Sequence, residues 1–210
     1  MTSPDLPGQS EKSPAASQPA ARVFVALKVA PQIAAELAHM ARVLEQLPVR
    51  VIAADDIHLT LVPPWQEPSI PAAIEKLRRV ADQTVPFALA FERLCYGPHP
   101  RRPRLLWAEC GAGQELATLH AALLAAFGQS EERLFRPHVT IARIRGNGAV
   151  VARIQPIDRA LALAQQVETV ELMQSPPPGE VGYRVLASPP LAGKPPREAA
   201  HERTSRPDGA

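Results

Sequence analysis

Residues 56–61 read Asp56-Ile57-His58-Leu59-Thr60-Leu61, and residues 136–141 read Arg136-Pro137-His138-Val139-Thr140-Ile141. Successive side chains of a β-strand point to opposite faces. A strand written this way sends Leu59 and Leu61 into a core and presents His58 beside Thr60 on the other side. His138 and Thr140 repeat the arrangement over Val139 and Ile141. In a chain of 210 residues with six histidines and 46% hydrophobic content, about 0.04 copies of His-apolar-Thr-apolar are expected by chance. A lone strand histidine is usually a hydrogen-bonded structural residue; two copies of the same tetrapeptide carry far more weight.

Outward from these two strands, periods of two and of three to four residues alternate. Val23, Val25 and Leu27 share one face of a strand over Arg22 to Lys28. Ile33, Leu37, Met40, Leu44 and Leu47 form the stripe of an amphipathic helix that Pro48 closes. Val49 to Ala53 and Ile57 to Val62 read as strands separated by the turn-prone Asp55-Asp56. Ser69 caps a helix with Ile70, Ile74, Leu77 and Ala81 on its apolar side. Phe87, Leu89 and Phe91 alternate, and a Pro-rich loop from Gly97 to Pro103 precedes a strand over Arg104 to Cys110. Leu116, Leu119, Leu123 and Phe127 mark a third helix ended by Gly128. Pro137 to Arg143 is a strand. Pro156 interrupts an otherwise helical pattern from Val150 to Ala164, and Val167 to Met173 with Tyr183 to Ala187 reads as a hairpin. This order favours an α+β or mixed α/β fold. No glycine-rich phosphate loop follows any strand, so neither a Rossmann nor a P-loop reading is supported.

Composition sets the boundaries. Residues 1–21 and 190–210 are rich in Ser, Pro, Ala and charge with few branched aliphatics, so a disordered leader and tail are expected around a domain spanning 22–189. No stretch approaches the length of a membrane span and no signal peptide is evident, so a cytoplasmic protein without membrane contact is expected. The absence of a coiled-coil or sticky stripe suggests a monomer. Cys95 and Cys110 lack metal-ligand spacing and are expected to be buried free thiols. Net charge is only +2, yet Arg93, Arg101, Arg102, Arg104, Arg133, Arg136, Arg143 and Arg145 crowd one stretch, as forked recognition of phosphate would favour. Each of them taken singly reads as a solvated surface arginine.

Cleavage of a phosphodiester without metal needs two imidazoles, one neutral to take a proton from the attacking oxygen and one protonated to supply the leaving oxygen. His58 and His138 are the candidates, because an ordinary imidazole pKa lets small environmental differences hold them in opposite states. Thr60 and Thr140 would donate to non-bridging phosphate oxygens. Arg136 is close in sequence but shares the face of His138 only if the strand runs through Pro137. His39, His99, His120 and His201 lack a threonine two residues on and receive no catalytic role. No Asp, Glu or Cys forms a close-spaced ligand motif with His58 or His138, so no metal or other cofactor is expected.

These residues resemble the two-histidine (2H) phosphoesterases, specifically the RNA 2′,3′-cyclic phosphodiesterases also described as 2′-5′ RNA ligases. The resemblance spans about Arg22 to Leu191. It rests on Arg22-Val23-Phe24-Val25-Ala26-Leu27, on the two motifs, on Arg101-Arg102-Pro103-Arg104-Leu105-Leu106-Trp107, on Phe135-Arg136-Pro137-His138 and on Tyr183-Arg184-Val185-Leu186. It implies an α+β fold of two pseudo-symmetric lobes, with antiparallel sheets flanked by helices and an active-site cleft between them. His58 would be the proton donor and His138 the proton acceptor on an RNA 2′,3′-cyclic phosphate, with Thr60 and Thr140 holding the phosphate. Reversible 2′-5′ ligation of RNA ends, and an RNA- or nucleotide-binding module with incidental catalysis, stay open. Val62-Pro63-Pro64-Trp65 departs from the commoner Lys-Phe-Leu-Gly after the first motif, which leaves Trp65 either to stack on a base at the cleft edge or to join the core.

Overall fold

A computed structural model describes residues 20–131, 134–177 and 179–194. Nine strands and four α-helices follow one another among them: β1 (Ala21–Lys28), α1 (Pro31–Ala41), β2 (Val49–Val51), β3 (His58–Glu67), α2 (Ile70–Gln83), β4 (Phe87–Gly97), β5 (Leu105–Cys110), α3 (Gln114–Phe127), β6 (His138–Ile144), α4 (Gly148–Ile154), β7 (Asp158–Val167), β8 (Glu171–Gln174) and β9 (Arg184–Ala187). The strands lie in the order β7-β4-β5-β6-β3-β1-β8-β9, and β2 pairs with β6. Every pairing is antiparallel. The α+β class with antiparallel strands is as expected. The two halves, β7-β4-β5-β6 and β3-β1-β8-β9, are fused edge to edge where Leu59 of β3 pairs with Val139 of β6.

Alternation divides the sheet into two unlike faces. Leu27, Leu59, Leu61, Leu89, Leu106, Val139 and Ile141 enter one large core with Leu37 of α1, Leu77 of α2, and Leu119 and Leu123 of α3. Each fully buried leucine of that set contributes about 1.5–3 kcal/mol of transfer free energy. Among the described residues, the opposite face buries a small cluster of Phe24, Ala26 and Met173, with Tyr183 packed against it, and separately the pair Cys95 and Trp107. Helices thus cover one side, and the histidines emerge on the other. Ser69 caps α2 as expected, its Oγ accepting from the Ala72 N–H at 3.4 Å, and Gly128 ends α3 in the left-handed conformation at φ 61°. Cys95 and Cys110 are buried and free, and burial pushes the Cys110 thiol up to about 12.

Four expectations need correction. Helix α1 stops at Ala41, and a 3-10 turn over Arg42–Leu44 follows. Of the expected stripe, Leu37 and Leu44 are buried and Ile33, Met40 and Leu47 are half-buried against the same core, with the small Ala34 and Ala41 buried beside them. Strand β3 continues past Val62 through Pro63-Pro64 to Glu67. Prolines are tolerated there because β6 meets β3 only at Leu59, and because Val62 to Trp65 spans one residue more than its partner Val25 to Val23, a bulge. Residues 158–167, included in a helical pattern as far as Ala164, form strand β7, paired with β4 from Phe87 to Cys95. Finally, the tail does not begin at Pro190: Leu191 is buried, and the Leu191, Ala192 and Gly193 N–H groups donate to the carbonyls of Glu168, Ala81 and Thr84. Residues 1–19 and 195–210, where the remainder of the leader and tail were expected, lie outside the described residues.

Gly97 ends β4 directly against the Trp107 indole, where an added Cβ would overlap the ring. Gly97→Ala is therefore expected to destabilise the fold by about 1–3 kcal/mol. A lower urea midpoint with an altered tryptophan emission would show it.

Candidate active site

Leu59, Leu61, Val139 and Ile141 are buried, while His58, Thr60, His138 and Thr140 are half-buried on the helix-free face. With Leu59 opposite Val139, the antiparallel register sets His58 beside Thr140 and His138 beside Thr60. The two imidazoles are then diagonal neighbours, a relation that spaces residues about 7–8 Å apart on a sheet face. The space between them suits one tetrahedral group, flanked by two hydroxyl donors.

Both rings are held in the same way. His58 Nδ1 lies 2.7 Å from the Asp56 carbonyl oxygen, and His138 Nδ1 lies 2.7 Å from the Arg136 carbonyl oxygen. A carbonyl only accepts, so in each ring Nδ1–H is the donor and Nε2 is the nitrogen left to accept or carry a second proton. Aromatic side chains wall the rings. His58 sits 5.0 Å from Phe24 and edge-on to Tyr183 at 5.0 Å. His138 lies 4.2 Å from Trp107, over which the Arg136 guanidinium is placed at 5.5 Å. Arg136 Nη2 donates to Glu109 Oε1 at 3.2 Å, and Glu109 is itself the ladder partner of His138. The Tyr183 N–H donates to Asp56 Oδ1 at 3.1 Å, which ties the segment after β8 to the approach of β3.

Burial is the leading cause that lowers the pKa of both imidazoles, and the hydrogen bond from Nδ1 opposes it in each. The surrounding charges differ. Asp56 raises His58, whereas Arg136 lowers His138 more than Glu109 raises it. The Arg143 charge lowers both. Cavities open behind the walls of the two rings, and neither ring lines them: about 310 Å³ bordered by Tyr96, Trp107, Glu109 and Arg136, and about 260 Å³ bordered by Asp56 and Tyr183.

His58, Thr60, His138 and Thr140 are thus brought together. Arg136 lies outside the strand, since β6 begins at His138, and reaches the site through its carbonyl and its seat on Trp107. Trp65 stands on the helix face, 4.9 Å from Phe127, with Nε1–H donating to Glu67 at 2.9 Å. That is a packing role, and it removes the base-stacking alternative. His120 is stacked on Phe135 at 3.7 Å, and His201 lies outside the described residues. Phe24, Trp107, Tyr183, Asp56, Glu109 and Arg143 were not singled out as site residues. Alternation along β5 sends Leu106 and Ala108 to the core, which would have put Trp107 and Glu109 on the cleft face. Tyr183 opens the Tyr183-Arg184-Val185-Leu186 segment of the resemblance, but nothing in that segment gives it a role. Among the described residues, no group of three or more His, Cys, Asp or Glu is arranged to hold a metal ion, and no helix is long and apolar enough to cross a membrane.

Comparison with known proteins places this geometry. The family model of the 2′-5′ RNA ligase superfamily matches residues 29–175. A protein of Aeropyrum pernix described as an RNA 2′,3′-cyclic phosphodiesterase is 28% identical over 139 residues, covering 61% of this chain and 78% of its own. A crystal structure of a Thermus thermophilus protein superposes with a TM-score of 0.71 at 22% identity, over 82% of this chain and 99% of that one. E. coli LigT, solved with NADP+, gives 0.65 at 22% identity over the same shares of the two chains. The match over most of the described residues, with both histidine motifs inside it, means that the chain belongs to the 2′-5′ RNA ligase superfamily of two-histidine phosphoesterases.

Proposed function

We propose that the protein hydrolyses RNA 2′,3′-cyclic phosphate ends to 2′-phosphomonoesters by acid-base catalysis between His58 and His138. One observation carries this reading: two imidazoles with Nδ1 committed to main-chain carbonyls stand as diagonal neighbours on one face of the sheet, each beside a threonine. The name of the A. pernix relative supports the substrate class.

In this mechanism His138, neutral, takes a proton through Nε2 from a water attacking phosphorus. As the new P–O bond forms, the bond to the ribose 3′-oxygen breaks, and His58 delivers the Nε2 proton to that oxygen. Thr60 and Thr140 donate to the non-bridging oxygens, and the Arg143 charge offsets the negative charge that builds there. The unequal surroundings favour this assignment. Asp56 helps His58 keep a proton, and Arg136 keeps one off His138. The two imidazoles need no metal for these steps.

Incubation with a cyclic-phosphate oligonucleotide in EDTA is expected to yield a 2′-phosphomonoester. Joined strands would instead indicate ligation, and retention without turnover a binding module. His58→Ala and His138→Ala are each expected to lower kcat by about 10²- to 10⁴-fold, and full activity in either would remove the mechanism. Thr60→Val and Thr140→Val are expected to cost roughly 10- to 100-fold, mainly in kcat.

Activity falls as pH rises through the pKa of His58, which must carry its proton, and as pH falls through that of His138, which must be neutral. Both pKa values are lowered by burial, so kcat/KM is expected to follow a bell with its maximum on the acid side of about 6.5. The charge of a bound phosphate raises both, so the kcat profile is expected to shift towards alkali. An NMR titration of the free protein, reading two Nδ1–H tautomers, checks the same values directly.

A further inference from the structure

We propose that Arg50, Arg104 and Arg143 form a basic track that grips the backbone of an RNA strand next to the reacting end, so that oligonucleotides are preferred over cyclic mononucleotides. The inference rests on the function proposed above for the identity of the reacting end.

Arg50 of β2 and Arg143 of β6 are direct ladder partners. Leu105 of β5 pairs with Arg143 from the other side, and Arg104, next to it, borders a cavity of about 330 Å³ together with Arg143, Pro98 and Ile144. Like charges set directly opposite on a ladder repel one another. The arginines that form ion pairs among the described residues are Arg42, Arg78, Arg93 and Arg136; Arg50, Arg104 and Arg143 are exposed and in none of them. The basic stretch therefore divides. On the His138 flank, Arg93 and Arg136 are neutralised by Asp158 and Glu109; along β2 and the far end of β6, Arg50 and Arg143 form no ion pair among the described residues.

An external polyanion relieves that repulsion, and a phosphodiester chain suits guanidinium forks. Continuity with the site favours RNA as the occupant. β6 carries one extra residue between Thr140 and Ala142 against β5, so Ile141 and Ala142 both face the core and Arg143 returns to the face of Thr140 and the histidines. Standing three residues beyond Thr140, about 10 Å along a strand, it gives the track a start beside the histidine pair and a direction away from it. Arg50 also borders the cavity behind the wall of His58, where Asp56 and Glu180 line the same side. Those carboxylates give the track an edge that repels the strand and confines it to the arginine side.

The test compares kcat/KM for 2′,3′-cyclic CMP and for a pentaribonucleotide ending in a 2′,3′-cyclic phosphate, at several salt concentrations, in the wild type and in an Arg50→Ala/Arg104→Ala double variant. The wild type is expected to favour the pentanucleotide by roughly ten-fold or more, and the log-log salt slope is expected to steepen by about 0.7 for each phosphate held. The double variant is expected to lose this advantage and the added slope, with cyclic CMP turnover unchanged and thermal stability kept or raised as repulsion is relieved. Equal loss on both substrates, or a pentanucleotide advantage that survives in the variant, would overturn the proposal. If the wild type turns over neither substrate, the catalytic reading fails by itself. Fluorescence anisotropy of a labelled pentanucleotide with a 2′-phosphate end then decides the track, where weaker binding by the variant supports it and unchanged binding overturns it.

Discussion

The pairing of Leu59 with Val139 joins the two halves of the molecule, and the rest of the site takes its geometry from it. Both side chains are fully buried beneath α1, α2 and α3, so the register of β3 against β6 is set by core packing. A slip of one residue would turn His58, Thr60, His138 and Thr140 into that core and expose the leucines, a change the burial of so much apolar surface forbids. The fold therefore specifies the separation of the imidazoles through residues that never touch a substrate.

What could be read from the sequence follows from where the signal is local. The two tetrapeptides announce strand, face and chemistry together, because alternation and residue type coincide within four positions. Ser69, Gly128 and the stripe of Leu116, Leu119, Leu123 and Phe127 were equally plain. Strand β7 was not, since Ala160, Ala162 and Ala164 are helix formers, and only pairing with β4 overrides that preference. The extension of β3 through Pro63-Pro64 depends on which edge of the strand is left unpaired, a property of topology. The aromatic walls were hidden for the same reason: Phe24, Trp107 and Tyr183 come from three strands or their approaches, and their convergence on the histidines exists only once the sheet is assembled.

The internal duplication is close in geometry and broken in charge. Each half supplies a His-x-Thr strand, an aromatic neighbour and a carbonyl two residues before the histidine. The first half adds Asp56 at that preceding position; the second adds Arg136, steadied by Glu109. A fold with twofold character would otherwise offer a bound phosphate two equal directions. One reversed charge at corresponding positions makes the two imidazoles unequal in proton affinity, Asp56 raising His58 and Arg136 lowering His138.

Because the acceptor for each Nδ1–H is a main-chain oxygen, the hydrogen bond that aims each ring does not depend on the side chain at position 56 or 136. Those side chains act on the rings by charge and on the aromatic walls, Asp56 through the Tyr183 N–H and Arg136 through its seat on Trp107. A neutral residue of similar size at either position would therefore alter proton affinity while leaving the main-chain bond in place.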